Sequence, residues 1–220
     1  MEGLPLHNED ADATMNPYIA FTDIFLNVAL IFALLAPLVM LLGNRGWEET
    51  RYKEFQKQLE ERVVADIPSR TRPVNAPRND APGEQRWVFR SSALFPNGST
   101  RLAPHGRDTL RAFAKLLLDH DKLWWRIRVE AHTRQSAAEP SLAEERAAMT
   151  LTAERAVEVT MFLYGECGIT PNRVVPSGRG HQDLTPSVPR DSPANDRVDL
   201  LVLPATVGRT GGALAANPAR

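Results

Sequence analysis

Cysteine is nearly absent: Cys167 is the single one in 220 residues. It has no partner for an internal disulfide and lacks the clustering a thiolate metal site needs, so it does not report the redox compartment. Excess charge is missing too. A net charge of −1 gives no bulk field to draw nucleic acid or an acidic substrate, and no direct nucleic-acid contact is expected. Lys and Arg are missing from residues 1–17, which carry Glu2, Glu9, Asp10 and Asp12. That stretch therefore lacks the basic n-region of a secretory signal. A nucleophile triad, a phosphate-binding loop and zinc-ligand spacing are also absent. His132 and His181 read as ordinary surface or turn histidines. No enzyme activity, cofactor or metal is expected.

One apolar run is present. Tyr18–Leu42 is 25 residues long and Asp23 is its only charged residue. At about 1.5 Å per residue, that length spans a hydrocarbon core of roughly 30 Å with some tilt. It is too long for a signal-peptide h-region, so a retained anchor is expected. Pro37 lies inside it, and a kink there is tolerated where neighbours satisfy the freed carbonyl. Trp47 follows, at a depth that suits an interfacial ring.

Beyond the anchor, Tyr52, Phe55, Leu59 and Val63 recur at three- and four-residue steps with charges between them. This is a helical stripe that can zip two copies together or pack on another subunit. Pro68, Pro73, Pro77 and Pro82 punctuate a polar, extended spacer. Within 87–204, Trp87–Ser91 reads as a strand and Asp108–Leu118 as an amphipathic helix. Trp125–Ala131 alternates as a strand, with Ile127, Val129 and Ala131 on one face. Leu151–Tyr164 reads as a helix with Thr152 as N-cap, and Val198–Leu203 as a last strand. The expected segments are a tail at 1–17, a transmembrane helix at 18–42 and a juxtamembrane helix with Pro-rich linker at 43–86. A compact domain at 87–204 and a flexible tail at 205–220 complete the chain.

Several segments carry a family pattern. LFPNGSTRLAPHGRDTLRAFAKLL from Leu94, then VEAHT, LTAERA, ITPNRVVPSGRG and NDRVDL, resemble in order the OmpA-like domains that bind peptidoglycan. Upstream, YIAFTDIFLN resembles the proton-binding helix of MotB-type stator subunits. The resemblance implies an α+β fold: a single N-terminal transmembrane helix, a helical and Pro-rich linker, then an OmpA-like β-α-β-α-β sandwich domain with helices packed on a sheet. It also implies the B subunit of an ion-driven rotary motor, a homodimer within a ring of five A-type channel subunits. The class includes MotB, TolR, ExbD and ZorB of the Zorya anti-phage system. An OmpA-like domain favours the MotB and ZorB branches, and the divergent wall site and short N-terminus favour ZorB. The implied place is the bacterial inner membrane, single-pass, with the N-terminus cytoplasmic and the domain periplasmic. Arg45, Arg51, Lys53, Lys57 and Arg62 follow the anchor, against the positive-inside rule. The family topology is preferred because long domains translocate largely regardless of charge.

Asp23 is the chemical centre of that resemblance. A charge in hydrocarbon costs several kcal/mol, so the carboxyl is either neutral or faces a hydrated cavity. Alternation between those states conducts protons; sodium is the other candidate ion. Asn27, four residues on, shares its face, as partner to the carboxyl or as glue between helices. Thr22 offers a hydroxyl. In the domain, OmpA-like proteins grip the diaminopimelate of the peptide stem with an aspartate and an arginine. The resemblance places the arginine at Arg155, whose bland reading is a helix-surface ion pair. The aspartate position holds Arg134, a charge reversal. The closing Asn-Arg-Arg reads Asn195-Asp196-Arg197. Glu130, Glu144 and Asp196 are the candidates to supply the missing carboxylate. Arg197 belongs to the implied peptidoglycan site, as do Thr133 and Asn195, which serve equally well as fold-preserving caps.

Overall fold

The computed structural model describes residues 17–81 and 83–205; the tails expected at 1–17 and 205–220 lie almost wholly outside them. Helix α1 runs Pro17–Asp66. The chain divides within it into two compact units, one ending at Trp47 and one starting at Glu48.

In the first unit, Phe21–Val39 is long and apolar enough to cross a membrane, and none of that window is buried. Phe21, Phe25, Phe32 and Leu34 are each well over half exposed. A helix this apolar, with none of its window buried among the described residues, suits an apolar surrounding. This fits a single-pass membrane protein. Pro37 sits inside the helix without ending it.

The second unit is built on a five-stranded sheet in the order β1-β2-β5-β3-β4. The strands are β1 (Val74–Asn75), β2 (Gln85–Arg90), β3 (Trp124–His132), β4 (Val174–Gly178) and β5 (Arg197–Pro204). Only β3 and β4 pair in parallel; β5 lies antiparallel between β2 and β3. The helices are the short α2 (Ser91–Leu94), α3 (Pro104–Leu118) and α4 (Leu142–Gly165). This is a mixed α+β fold.

The two-residue alternation of the strands sorts the sheet into two faces. Trp87, Phe89, Ile127, Val129, Val198, Leu200 and Val202 form the apolar face and are buried. Leu110, Phe113 and Leu117 of α3 and Ala156, Val159 and Leu163 of α4 join them in one core. Phe113 meets the rings of Trp87 and Phe89 edge-on at 5.4 Å.

Three expectations change on contact with the structure. Phe55, Leu59 and Val63 do form a stripe, but with Ile67 they are buried in this same core. The chain itself covers the stripe. The Pro-rich stretch after them is extended, yet it is tied down: Arg72 donates to the carbonyls of Val64 and Ile67 at the end of α1. Val74 and Asn75 pair with Val88 and Trp87, and Asp80 receives Arg86. Third, α4 begins two turns before Leu151. Ser141 and Glu144 form a reciprocal capping box at its start, a stronger stop for free N–H groups than a mid-run threonine. Thr152 is instead interior, donating to the Ala148 carbonyl and accepting from Gly180 N–H. The strand β4 gave no periodic signal because Pro176 and Gly178 interrupt it. Gly178 is needed there: a Cβ would stand 2.5 Å from the backbone nitrogen of Ala153 in α4.

Candidate functional site

The end of β3, the segment after α2 and one face of α4 converge on a cavity of about 320 Å³. Arg155 projects from α4 into its wall and is only 6% exposed. Its Nε donates to the Ser99 carbonyl at 2.9 Å, and its guanidinium lies over the Phe95 ring at 5.1 Å. Burial lowers its pKa, partly offset by the nearby charge of Asp196. Its two terminal nitrogens make no hydrogen bond among the described residues.

Arg134 and Asp196 face each other across the same cavity. Arg134 Nε stands 3.2 Å from Asp196 Oδ2, and the backbone N–H of Arg134 donates to Oδ1 at 2.9 Å. Thr133 Oγ1 donates to the same oxygen at 3.1 Å. The two departures from the family pattern, an arginine at 134 and an aspartate at 196, are therefore one reciprocal exchange of charge. The carboxylate at this site comes from the turn before β5 instead of the end of β3. Neither Glu130 nor Glu144 supplies it: Glu130 lies buried on the other face of the sheet, and Glu144 is spent on the α4 capping box.

Residues 94–196, just under half the chain, match the model of the OmpA family. The chain carries an OmpA-like domain. Its fold is similar to a MotB-like protein from Desulfovibrio vulgaris, at 17% identity and a TM-score of 0.56, over 73% of this chain and 96% of that one. It is similar to the periplasmic domain of Helicobacter pylori MotB, at 19% identity and a TM-score of 0.51, over 71% and 95% of the two chains. The cell wall anchor of the T6SS from Pseudomonas aeruginosa gives 20% identity and a TM-score of 0.50, over 67% and 97%. No curated protein sequence matches the chain.

Of the residues assigned to wall contact, Arg155 and Thr133 line the cavity of the OmpA-like domain, and Arg197 and Asn195 do not. Asn195 is fully buried. It accepts from Thr185 N–H and donates to the carbonyls of Pro189 and Arg190, so it fastens the 185–190 segment. Arg197 points to the opposite face of the sheet and is 1% exposed. Its Nε donates to Asp199 and its Nη2 to the Asp183 carbonyl. Asp196 stays in the turn before β5 while Arg197 opens the strand on its far face, which a motif read as a block conceals.

That opposite face carries a buried charge network. Arg86 Nη1 reaches Asp199 at 2.8 Å and Glu130 at 3.1 Å, and Arg179 Nη2 reaches Glu130 at 2.6 Å. Burial opposes the Arg86 cation, but its bonds to Asp80, Asp199 and Glu130 outweigh that and raise its pKa. Burial likewise opposes the Glu130 carboxylate, and Arg179 and Arg86 hold its pKa below the usual range. His132 belongs here too. It is a buried histidine, against the surface or turn position expected of it, because β3 extends one residue past the alternating run. Its Nδ1 lies 3.2 Å from the Gln182 carbonyl and its Nε2 3.5 Å from Asp199. Burial, tempered by Asp199, lowers its pKa to about 4. Glu130, His132 and Asp199 have metal-like spacing, but guanidinium groups already hold both carboxylates.

In the apolar helix, Asp23 and Asn27 are exposed side by side one turn apart. Neither side chain makes a hydrogen bond among the described residues. Thr22 Oγ1 donates to the Tyr18 carbonyl at 2.6 Å, so its hydroxyl is committed to its own helix.

Proposed function

We propose that this chain is a wall-anchored B-type subunit of an ion-driven membrane motor. The observation that carries the proposal is Asp23, the lone charge in an otherwise apolar span, joined in one chain to an OmpA-like domain. A carboxylate at membrane depth is costly unless it is neutralised or hydrated, and it has a use where ions pass. An elementary charge crossing about 100 mV supplies about 2.3 kcal/mol, enough to bias two packed states of a helix bundle. Its exposure within this chain suits a partner that supplies the other wall of an ion path. In this proposal two copies sit in a ring of five A-type subunits, Asn27 assists the carboxyl, and the Arg155 cavity holds peptidoglycan outside the inner membrane.

Within that class, the departures at Arg134 and Asp196 favour the ZorB anti-phage branch over a flagellar MotB. A neighbouring gene for a multi-span channel subunit, followed by helicase or nuclease genes, supports that branch. Flagellar or chemotaxis neighbours would sink it.

The test is Asp23→Asn beside Asp23→Glu, assayed in the intact operon. Loss of activity with Asn and partial retention with Glu is the outcome of a titrating carboxyl. Full activity of Asp23→Asn would make the chain a passive tether.

A further inference from the structure

A separate cavity, of about 460 Å³, opens where the turn after α1 meets the end of β2 and the start of α3. Arg70, Thr71, Arg90, Ser92, Ala93 and His105 line it. It shares only Ser92 with the cavity around Arg155. Among its lining residues only His105 falls within 94–196, the span that matches the family model. The linker, the end of β2 and α2 therefore build most of it. Its volume lies in the range of small-ligand sites, roughly 300–1,000 Å³.

The lining holds two guanidiniums and no carboxylate, a charge of +2 before His105 is counted. Arg70 and Arg90 are exposed, and neither side chain makes a hydrogen bond or ion pair among the described residues. By contrast, Arg111 meets Asp108 and Glu166, and Arg134 meets Asp196. A lone surface arginine is satisfied by water. Two on one concave wall with no anion between them repel each other, and a bridging anion relieves that repulsion. The surrounding structure fixes the wall. Thr71 N–H donates to the Pro68 carbonyl at 3.0 Å and closes the turn that carries Arg70. The buried Thr71 hydroxyl is joined to that of Thr109 in α3 at 2.8 Å. His105 brings in the start of α3, where Ala103 at the cap position supplies no side-chain acceptor. The free N–H groups of that end add to the positive potential.

We infer that this cavity binds the phosphate group of a phosphate ester, held between Arg70 and Arg90. Each guanidinium presents a planar fork of N–H donors that matches a pair of phosphate oxygens. A planar carboxylate fills one such fork; a tetrahedral phosphate has oxygens left for the second. The hydroxyls of Thr71 and Ser92 supply neutral donors beside them. Ala93 gives the organic part of the ester a small apolar patch. A soluble phosphate ester and a phospholipid headgroup share this chemistry. The site is independent of wall contact at Arg155 and of ion passage at Asp23.

The experiment is calorimetric titration of the full chain, in an uncharged sugar-headgroup detergent and phosphate-free buffer, with glycerol phosphate, glycerophosphoglycerol and glycerol. The phosphates bind and glycerol does not. Arg70→Gln and Arg90→Gln each weaken binding about tenfold, the scale of one charge-assisted hydrogen bond, at an unchanged melting temperature. Arg111→Gln, which alters a paired arginine outside the cavity, leaves binding as it is. Tighter binding of glycerophosphoglycerol, the diester of a lipid headgroup, assigns the site to a phospholipid. Tighter binding of glycerol phosphate, the monoester, assigns it to a soluble ester. Failure of both phosphates to bind at millimolar concentration would overturn the inference. So would equal binding by the parent and the Arg70→Gln, Arg90→Gln double variant, which would make the uptake non-specific. If a variant fails to fold, the comparison of the phosphates with glycerol on the unaltered chain decides.

Discussion

Arg134 and Asp196 exchange the charges expected at their two positions and meet at 3.2 Å. Arg134 is 44% exposed at its side chain and Asp196 24%, so water screens much of the attraction between them. Exposed pairs contribute about 0.2–1 kcal/mol. The two single substitutions should therefore differ. Arg134→Ala costs under about 1 kcal/mol. Asp196→Ala costs about 1–3 kcal/mol, because it also strands the Thr133 hydroxyl and a backbone N–H. Urea unfolding of the two variants and of the double variant measures this. A coupling energy indistinguishable from zero would mean the pair is incidental.

Asp199 is fully buried between Arg86 and Arg197. Removing it leaves two buried guanidiniums short of their anion. Breaking a buried pair from one side costs about 3–5 kcal/mol, so Asp199→Ala should unfold at much lower urea or fail to accumulate. Replacing the arginine instead is no remedy, since Arg86 also serves Asp80 and Glu130. An Asp199→Ala variant within about 1 kcal/mol of the parent would show that the network is not structural.

His132 gives the domain a pH dependence with a defined sign. Its pKa falls from 6.5 to about 4 on folding, through burial. Asp199 and Glu130 favour the cation and Arg197 opposes it. Between those values the unfolded chain binds the proton and the folded chain does not, so stability falls as pH drops from about 6.5 to about 4. The size is about 3 kcal/mol at most. Below that window both states are protonated and this contribution stays lost. Glu130, whose folded pKa is depressed, contributes stability that disappears at lower pH still. Thermal melts from pH 7 to pH 4 should show the decline, and His132→Gln should flatten it even though its melting point is lower throughout. An equal slope in the variant would assign the decline elsewhere.

The central strands and α3 were legible because each carries its period in the residues that touch the core. Ile127, Val129 and Ala131 alternate, and Leu110, Phe113 and Leu117 repeat on one helical face. What stayed hidden was long-range. β4 exists because Gly178 lets the backbone reach α4, which no local pattern encodes. The site was half legible. Arg155 could be placed by resemblance, but the role of Asp196 needed its partner across 62 residues. Both departures were visible as letters; reading them as a pair was the available signal. His132 was misplaced because the second face of the sheet is also buried and polar residues in alternation look like a solvent face, and Arg197 because its motif was read as a block.

The same ambiguity makes the Phe55–Leu59–Val63 stripe the most discriminating target in the linker. An apolar stripe on a helix is equally suited to a second copy, to another subunit, or to the chain's own core. Here Leu59 is 1% exposed in the single chain. It shares one core with Trp87, Phe113 and Trp124, and no second chain is needed to cover it. Leu59→Ala should therefore lower the unfolding free energy of the domain by about 2–5 kcal/mol, the range for a buried leucine replaced by alanine. The mass of the folded complex should stay unchanged. A dimer seam predicts the reverse: a smaller assembly in detergent with an unaltered domain melt. Differential scanning calorimetry and mass photometry on the same sample separate the two. Because the helix after the anchor is part of the folded unit, trimming the chain back to Pro68 should expose Trp87 and Phe113 and destabilise the sheet they rest on.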